Sequence, residues 1–155
     1  MKITLLLIGK TSSTEIKSIC ADYSARVNRY TKLEEVIIES PSSKITDEQK
    51  LKGKEGELIL KKIAATDFVI LLDDKGKEFV SEQFAAQMEN LFSQSLKKIV
   101  FVIGGAYGFS KDVYARANMK LSLSKMTFTH QMVRAVFLEQ LYRAFTIIRN
   151  EKNHH

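Results

Sequence analysis

The stretch Lys98-Ile99-Val100-Phe101-Val102-Ile103-Gly104-Gly105-Ala106-Tyr107-Gly108 decides how this chain is read. Its first six residues are apolar after the lysine, the pattern of a strand buried on both faces. Three of the chain's seven glycines follow at once. Glycine there permits positive φ and lets backbone pass close to a ligand. In open α/β sheets, ligands lie outside the carboxyl ends of the strands. The spacing is neither G-x-G-x-x-G nor a P-loop, because no Gly-Lys-Ser/Thr follows. The first strand offers only a lone Gly9, and no acidic residue completes a dinucleotide unit. Two readings stay open for Gly104, Gly105 and Gly108: a tight strand-to-helix turn, or a cofactor loop.

Outward from this strand, the pattern predicts further strands at 3–8, 36–39, 68–72 and 120–123. Between them come helical patterns. The first, over 13–30, carries Ile16, Ile19, Tyr23 and Val27 on one face. A charged helix starts after Thr46 or Asp47 and ends near Ala65. Ser81 caps a helix to Phe92, Ser110 caps one over 111–117, and Thr129 caps a long last helix to about Arg149. Asp73-Asp74-Lys75-Gly76 reads as a turn closing the third strand, and Pro41 marks another. The class is α/β, a mostly parallel sheet flanked by helices.

The chain has 155 residues, the size of one domain, and is 45% apolar and 27% charged, which excludes disorder and collagen-like structure. The lone Cys20 allows no intrachain disulfide and no Cys-rich zinc site, so no metal centre is expected, and it fits a reducing cytoplasm. No apolar run is long enough to span a membrane. The apolar opening is too short for a signal peptide and lacks a small-residue cleavage site. The net charge is +6, and residues 97–155 hold ten basic and three acidic residues against 14 and 15 before them. The excess suggests an anionic partner held by the C-terminal segment, with salt-sensitive binding, and leaves the N-terminal part as scaffold.

Leu121-Ser122-Leu123-Ser124-Lys125-Met126-Thr127-Phe128-Thr129-His130-Gln131 joins the last strand to the last helix. Its apolar members suit a flat ring such as adenine and its amides suit the ring's polar edge, although Met126 and Phe128 read equally as core. The last helix carries Val133, Phe137, Leu141, Ala144, Phe145 and Ile148 on one stripe. Met132, Ala135, Val136, Tyr142 and Ile147 cover much of the rest, so it must be buried nearly all round. That predicts a two-fold homodimer with this helix in the interface. Arg134, Arg143 and Arg149 interrupt the apolar surface. Arg143 and Arg149 suit either the helix C-terminus or phosphates at a dimer cleft.

These residues resemble the ribosomal RNA large subunit methyltransferase H family, of the SPOUT class of methyltransferases. The resemblance covers essentially the whole chain. It rests on Met1-Lys2-Ile3 with Gly9-Lys10, Lys54-Glu55-Gly56-Glu57, Leu72-Asp73 with Gly76-Lys77, and Phe101-Val102-Ile103-Gly104-Gly105 with Gly108. It continues through 121–128, His130-Gln131-Met132-Val133-Arg134 and Glu139-Gln140-Leu141-Tyr142-Arg143-Ala144. It implies a single SPOUT domain over 1–155, with a trefoil knot in the part at about 98–150, and a homodimer with its active site at the interface. It implies methyl transfer from S-adenosyl-L-methionine to N3 of a pseudouridine in 23S rRNA of the assembled ribosome. The cofactor would be held by Leu72, Gly104, Gly105, Gly108, Leu123, Ser124, Lys125, Met126, Thr127 and Phe128, and the RNA by His130, Arg134 and Lys152. His130 reads equally as a structural residue.

N3 of pseudouridine is a weakly acidic imide, so a base or a cation that favours the anion must assist. His154 is the candidate base and Arg143 the candidate stabiliser. Family members tend to end in Pro-Tyr-His and a basic residue. Here Lys152 stands where Pro is frequent and Asn153 where Tyr is usual, which puts base stacking by the tail in question. The departure leaves a second reading, a ribosome-associated binding or assembly protein on the same fold. A third, an enzyme acting on tRNA, lacks the added RNA-binding domain it would need.

Overall fold

The computed structural model describes residues 1–152. In chain order the elements are β1 (Lys2–Ile8), α1 (Thr14–Val27), β2 (Lys32–Ile38), α2 (Glu48–Lys61), β3 (Phe68–Glu78), α3 (Ser81–Phe92), β4 (Lys98–Ile103), α4 (Lys111–Arg116), β5 (Met119–Ser122) and α5 (Met132–Ile148), with a 3₁₀ turn at Pro41–Ser43. The five strands pair in the order β2-β1-β4-β3-β5, and every pairing is parallel. Strand side chains alternate between two cores. Ile3, Leu5 and Leu7 of β1 with Ile99, Phe101 and Ile103 of β4 meet α1, α3 and α5 on one face. Leu6, Ile8, Val100 and Val102 meet Ile59 of α2 and Val113 of α4 on the other. Helices on both faces explain why β1 and β4 are unbroken apolar runs.

Several boundaries differ from the sequence expectation. β2 starts at Lys32 because it is an edge strand, where Glu34 and Glu35 keep contact with solvent. Helix α1 buries Cys20 and leaves Ile19 42% exposed. Ser81 is the first residue of α3, and the Gln83 side chain accepts from the Val80 amide instead. Thr129 does accept the Met132 amide, but the helix proper begins at Met132. The capping roles of Ser13, Asp47 and Ser110 are as the residue types predict.

Residues 73–76 do not end β3. They form a bulge, so that Leu72 and Lys77 both face Leu121. Gly76 passes so close to β5 that a Cβ would stand 2.7 Å from the Leu121 nitrogen and the Lys120 carbonyl carbon. Backbone cannot yield as a side-chain tip does. Gly76→Ala is therefore expected to lower stability by about 2–3 kcal/mol in urea unfolding, whereas Gly53→Ala, in open space, should not.

The apolar surround of α5 is largely met within the chain. Phe145 stacks against Tyr30 and Phe92, each at 5.3 Å between centroids, and Phe137 packs on Phe101 at 4.7 Å. Val136, Gln140, Arg143 and Ile147 form a half-buried outer stripe at helical spacing.

Candidate active site

Three loops meet at the carboxyl ends of β3, β4 and β5 and enclose a cavity of about 840 Å³. Leu72 enters from β3, Gly104, Gly105 and Gly108 from the loop after β4, and Leu123, Ser124, Met126, Thr127 and Phe128 from the loop after β5. His130 and Val133 close it from the start of α5. The size suits a nucleoside-sized ligand. Residues 104–108 turn sharply, with the Gly108 amide donating to the Gly105 carbonyl and Gly108 at φ +81°. That conformation strains any L side chain, so the position demands glycine. In the second loop, Ser122 Oγ donates to the Ser124 carbonyl and Ser124 Oγ accepts the Met126 amide. Met126 is 80% and Phe128 41% exposed, so neither is core.

The cavity gathers residues that the sequence reading missed. The Asp73 carboxylate accepts from the Tyr114 hydroxyl at 2.5 Å and from the Lys75 amide at 2.9 Å. Burial works to raise its pKa, but these hydrogen bonds and the Lys120 charge outweigh it and hold Asp73 below the usual carboxylate range. Burial and Asp73 push the Tyr114 hydroxyl up. An ionised carboxylate at a strand end can accept from sugar hydroxyls, while Leu72, Leu121 and Leu123 offer apolar contact to a ring. The available signal was the acidic pair directly after an apolar strand.

Other assigned residues stand elsewhere. Lys125 is exposed but outside the cavity lining. His130 is exposed on the cavity wall, and its carbonyl accepts from Arg134 Nε. Arg134 is only 1% exposed. Its Nε donates to the His130 carbonyl, Nη1 to Thr11 Oγ1 and Nη2 to the Ile8 carbonyl, so it is a structural tie and not a phosphate contact. Gln131 completes the tie, accepting from the Ser12 amide and donating to the Lys10 carbonyl. Arg143 pairs with Glu139 at 2.7 Å on α5, about 15 Å along the helix from Val133. Lys152 is exposed beyond α5. His154 and Asn153 lie outside the described residues.

The charge reading also changes. Arg134 is buried, Lys98 pairs with Asp67, and Arg116 donates to the Ala64 and Asp67 carbonyls, so part of the C-terminal excess is structural. The near-neutral N-terminal part is more than scaffold, because Lys52 and Glu48 line the cavity.

A second cavity of about 480 Å³ lies across the glycine loop, at the ends of β1 and β2. Glu55, 3% exposed, lines it, and its Oε2 accepts from Ser40 Oγ at 3.1 Å. Burial raises the Glu55 pKa, against the lowering effect of the Ser40 bond. A carboxyl whose folded pKa is raised favours folding most when protonated, so this contribution is lost as pH rises through the unfolded and then the folded value. Glu55→Gln is therefore expected to match wild type in thermal melts near pH 4 and to melt higher at pH 8.

Among the described residues, no helix is long and apolar enough to cross a membrane, and no group of three or more His, Cys, Asp or Glu is placed to hold a metal. A family profile described as "Predicted SPOUT methyltransferase" matches residues 1–154. Proteins named ribosomal RNA large subunit methyltransferase H are 52% identical in Christiangramia forsetii and 49% in Flavobacterium psychrophilum, each over all of this chain and 99% of its own length. The one from Syntrophotalea carbinolica is 45% identical over 99% of both chains. The structure of a probable methylase family protein from Haemophilus influenzae superposes with a TM-score of 0.51 at 17% identity, over 97% of this chain and 67% of that one, a likeness of fold alone. With glycine loop, strand-end cavity and full-length similarity in agreement, the chain belongs to the SPOUT methyltransferases, in the ribosomal RNA large subunit methyltransferase H family.

Proposed function

We propose that this protein is an S-adenosylmethionine-dependent methyltransferase acting on N3 of a pseudouridine in 23S rRNA of the assembled ribosome. It works in the cytoplasm as a homodimer, as one SPOUT domain with its trefoil knot at about 98–150. The observation that carries the reading is the 840 Å³ cavity built from the glycine loop, Leu72 and residues 123–128. Its chemistry fits the donor, with apolar walls for an adenine ring, backbone amides for the ring's edge and Asp73 for ribose hydroxyls. When bound, S-adenosylmethionine supplies an electrophilic methyl group on a sulfonium. The chain's own residues contribute chiefly by positioning and by excluding water.

Chain geometry favours two protomers. The Glu151 amide is bonded to the Thr146 carbonyl and its carboxylate accepts from Tyr30. Thr146 is about 20 Å along α5 from cavity-lining Val133, so Glu151 is held well away from its own chain's cavity. In this reading His154, which lies outside the described residues, is the base that takes the N3 proton and serves the partner's cavity. Arg143, held by Glu139 on the outer stripe of α5, stabilises the imide anion there by the same logic, and His130 and Lys152 contact the RNA.

The test is a mass comparison of 23S rRNA from wild-type and deletion strains. Loss of one methyl group from a pseudouridine supports the reading, and an unchanged spectrum sinks it. The unusual Lys152-Asn153 pair favours a second reading, a ribosome-binding or assembly protein without the chemistry. Normal ribosome binding by purified protein with no transfer under any condition would select that one.

A further inference from the structure

We infer that the second cavity receives the acceptor base, and that the Glu55 carboxyl pairs with its N1–H and C2=O edge, the edge that distinguishes pseudouridine from uridine. The inference rests on the function proposed above and assigns its acceptor subsite. The first cavity, at about 840 Å³, already accommodates a whole nucleoside donor. The second adds about 480 Å³ and shares Gly105, Ala106, Tyr107 and His130 with the first. The two cavities thus adjoin at these residues and are both open there, so a base in one can face a donor in the other directly, as in-line transfer requires.

The lining selects a neutral polar ring. Ile8, Ile45 and Leu51 provide apolar contact, and half-exposed Tyr107 offers an aromatic face at the junction. Among the described residues, Glu55 is the only carboxyl in the lining, nearly buried and touching Gly105, where a Cβ would lie 2.8 Å from Oε2. A phosphate there would face that carboxyl, whereas a base edge satisfies it. The carboxyl offers an acceptor to an N–H and, in its protonated form, a donor to the adjacent C=O, the complement of such a pair; burial works toward that form, against the Ser40 hydrogen bond. In uridine N1 carries the sugar, so only its N3 edge has this pair. Pseudouridine is attached through carbon and has a second pair at N1–H and C2=O. Reading that second edge leaves N3 free to face the donor, and Lys10 on the same wall favours the N3 anion.

The experiment measures methyl transfer by the full-length protein to two ribosome preparations, with the target nucleotide as pseudouridine or left as uridine, alongside calorimetry with S-adenosylmethionine. Wild type should prefer pseudouridine by about tenfold to a hundredfold. Glu55→Met should lose that preference through slower transfer to pseudouridine, with donor affinity within about twofold. Glu55→Gln, which keeps a donor beside an acceptor, should retain it. Should Glu55→Met not fold, Ser42→Trp narrows this cavity from an exposed lip that does not line the first. It should abolish transfer and spare donor binding. Equal transfer to both substrates by wild type, an unchanged preference in Glu55→Met, full activity in Ser42→Trp, or loss of donor affinity in either variant would each overturn the inference. A wild type that transfers to neither substrate overturns the proposed function with it, while transfer without preference leaves that function standing.

Discussion

Replacing Arg134 by alanine is expected to lower the stability of the fold by about 3–4 kcal/mol. The side chain is 1% exposed and its guanidinium spans three acceptors, the Ile8 and His130 carbonyls and Thr11 Oγ1, at 2.8–3.1 Å. Truncation removes buried methylenes and strips donors from groups that water does not reach easily. Both costs are paid in the folded state. Arg134→Lys should recover only part of the loss, because a point ammonium cannot span the three acceptors that the planar fork reaches. The check is urea unfolding, with the midpoint lowered and the slope unchanged. Folding like wild type, with weaker RNA binding and a shallower salt dependence, would instead return Arg134 to the RNA surface. The effect should spread beyond stability, since the same residue joins the end of β1 to the start of α5, and so frames both cavities.

The second large effect is expected at Gly104. A Cβ there would stand 2.9 Å from Cε1 of Phe109, whose ring is 6% exposed and meets Tyr114 edge-on at 5.8 Å. Valine must displace either this packed ring or the loop that forms the cavity wall. A loop displacement of about 1 Å is enough to cost roughly a hundredfold in a positioned site. Calorimetry should therefore show S-adenosylmethionine affinity falling about a hundredfold in Gly104→Val, and by less in Gly104→Ala. A modest drop in melting temperature should accompany the change. Unaltered binding in a folded Gly104→Val would sink the assignment of the donor to this cavity.

How far the site was legible depended on the range of the signal. The glycine loop and residues 123–128 stand out in the sequence because each follows an apolar strand directly, and both line the larger cavity. Asp73 was visible as an acidic residue after a strand, but its neighbours spell a turn. Only the pairing of β3 with β5 on both sides of 73–76 shows that the strand continues. Glu55 belongs to a stretch that carries the family resemblance, but it offered no local signal of burial or of a cavity. It sits among Lys54, Gly56 and Glu57 in a charged helix, and a single glutamate there reads as a solvated face. Its burial comes from contact with Ser40 and Gly105, which lie 15 and 50 positions away.

The sequence by itself determined the fold class, most of the strands and the loop that the larger cavity is built on. Those depend on periodicity, apolar runs and glycine placement within a few residues. It also determined that α5 must be buried, since apolar residues cover most of its circumference. The tertiary structure decided what buries it, with α1 and α3 taking the larger share. It decided as well that Arg134 is a strut and that Glu55 and Lys10 face a second cavity. Charge counted along a chain does not reveal which cations meet carbonyls and which meet solvent. That follows only once the order β2-β1-β4-β3-β5 has made neighbours of strand ends far apart in sequence.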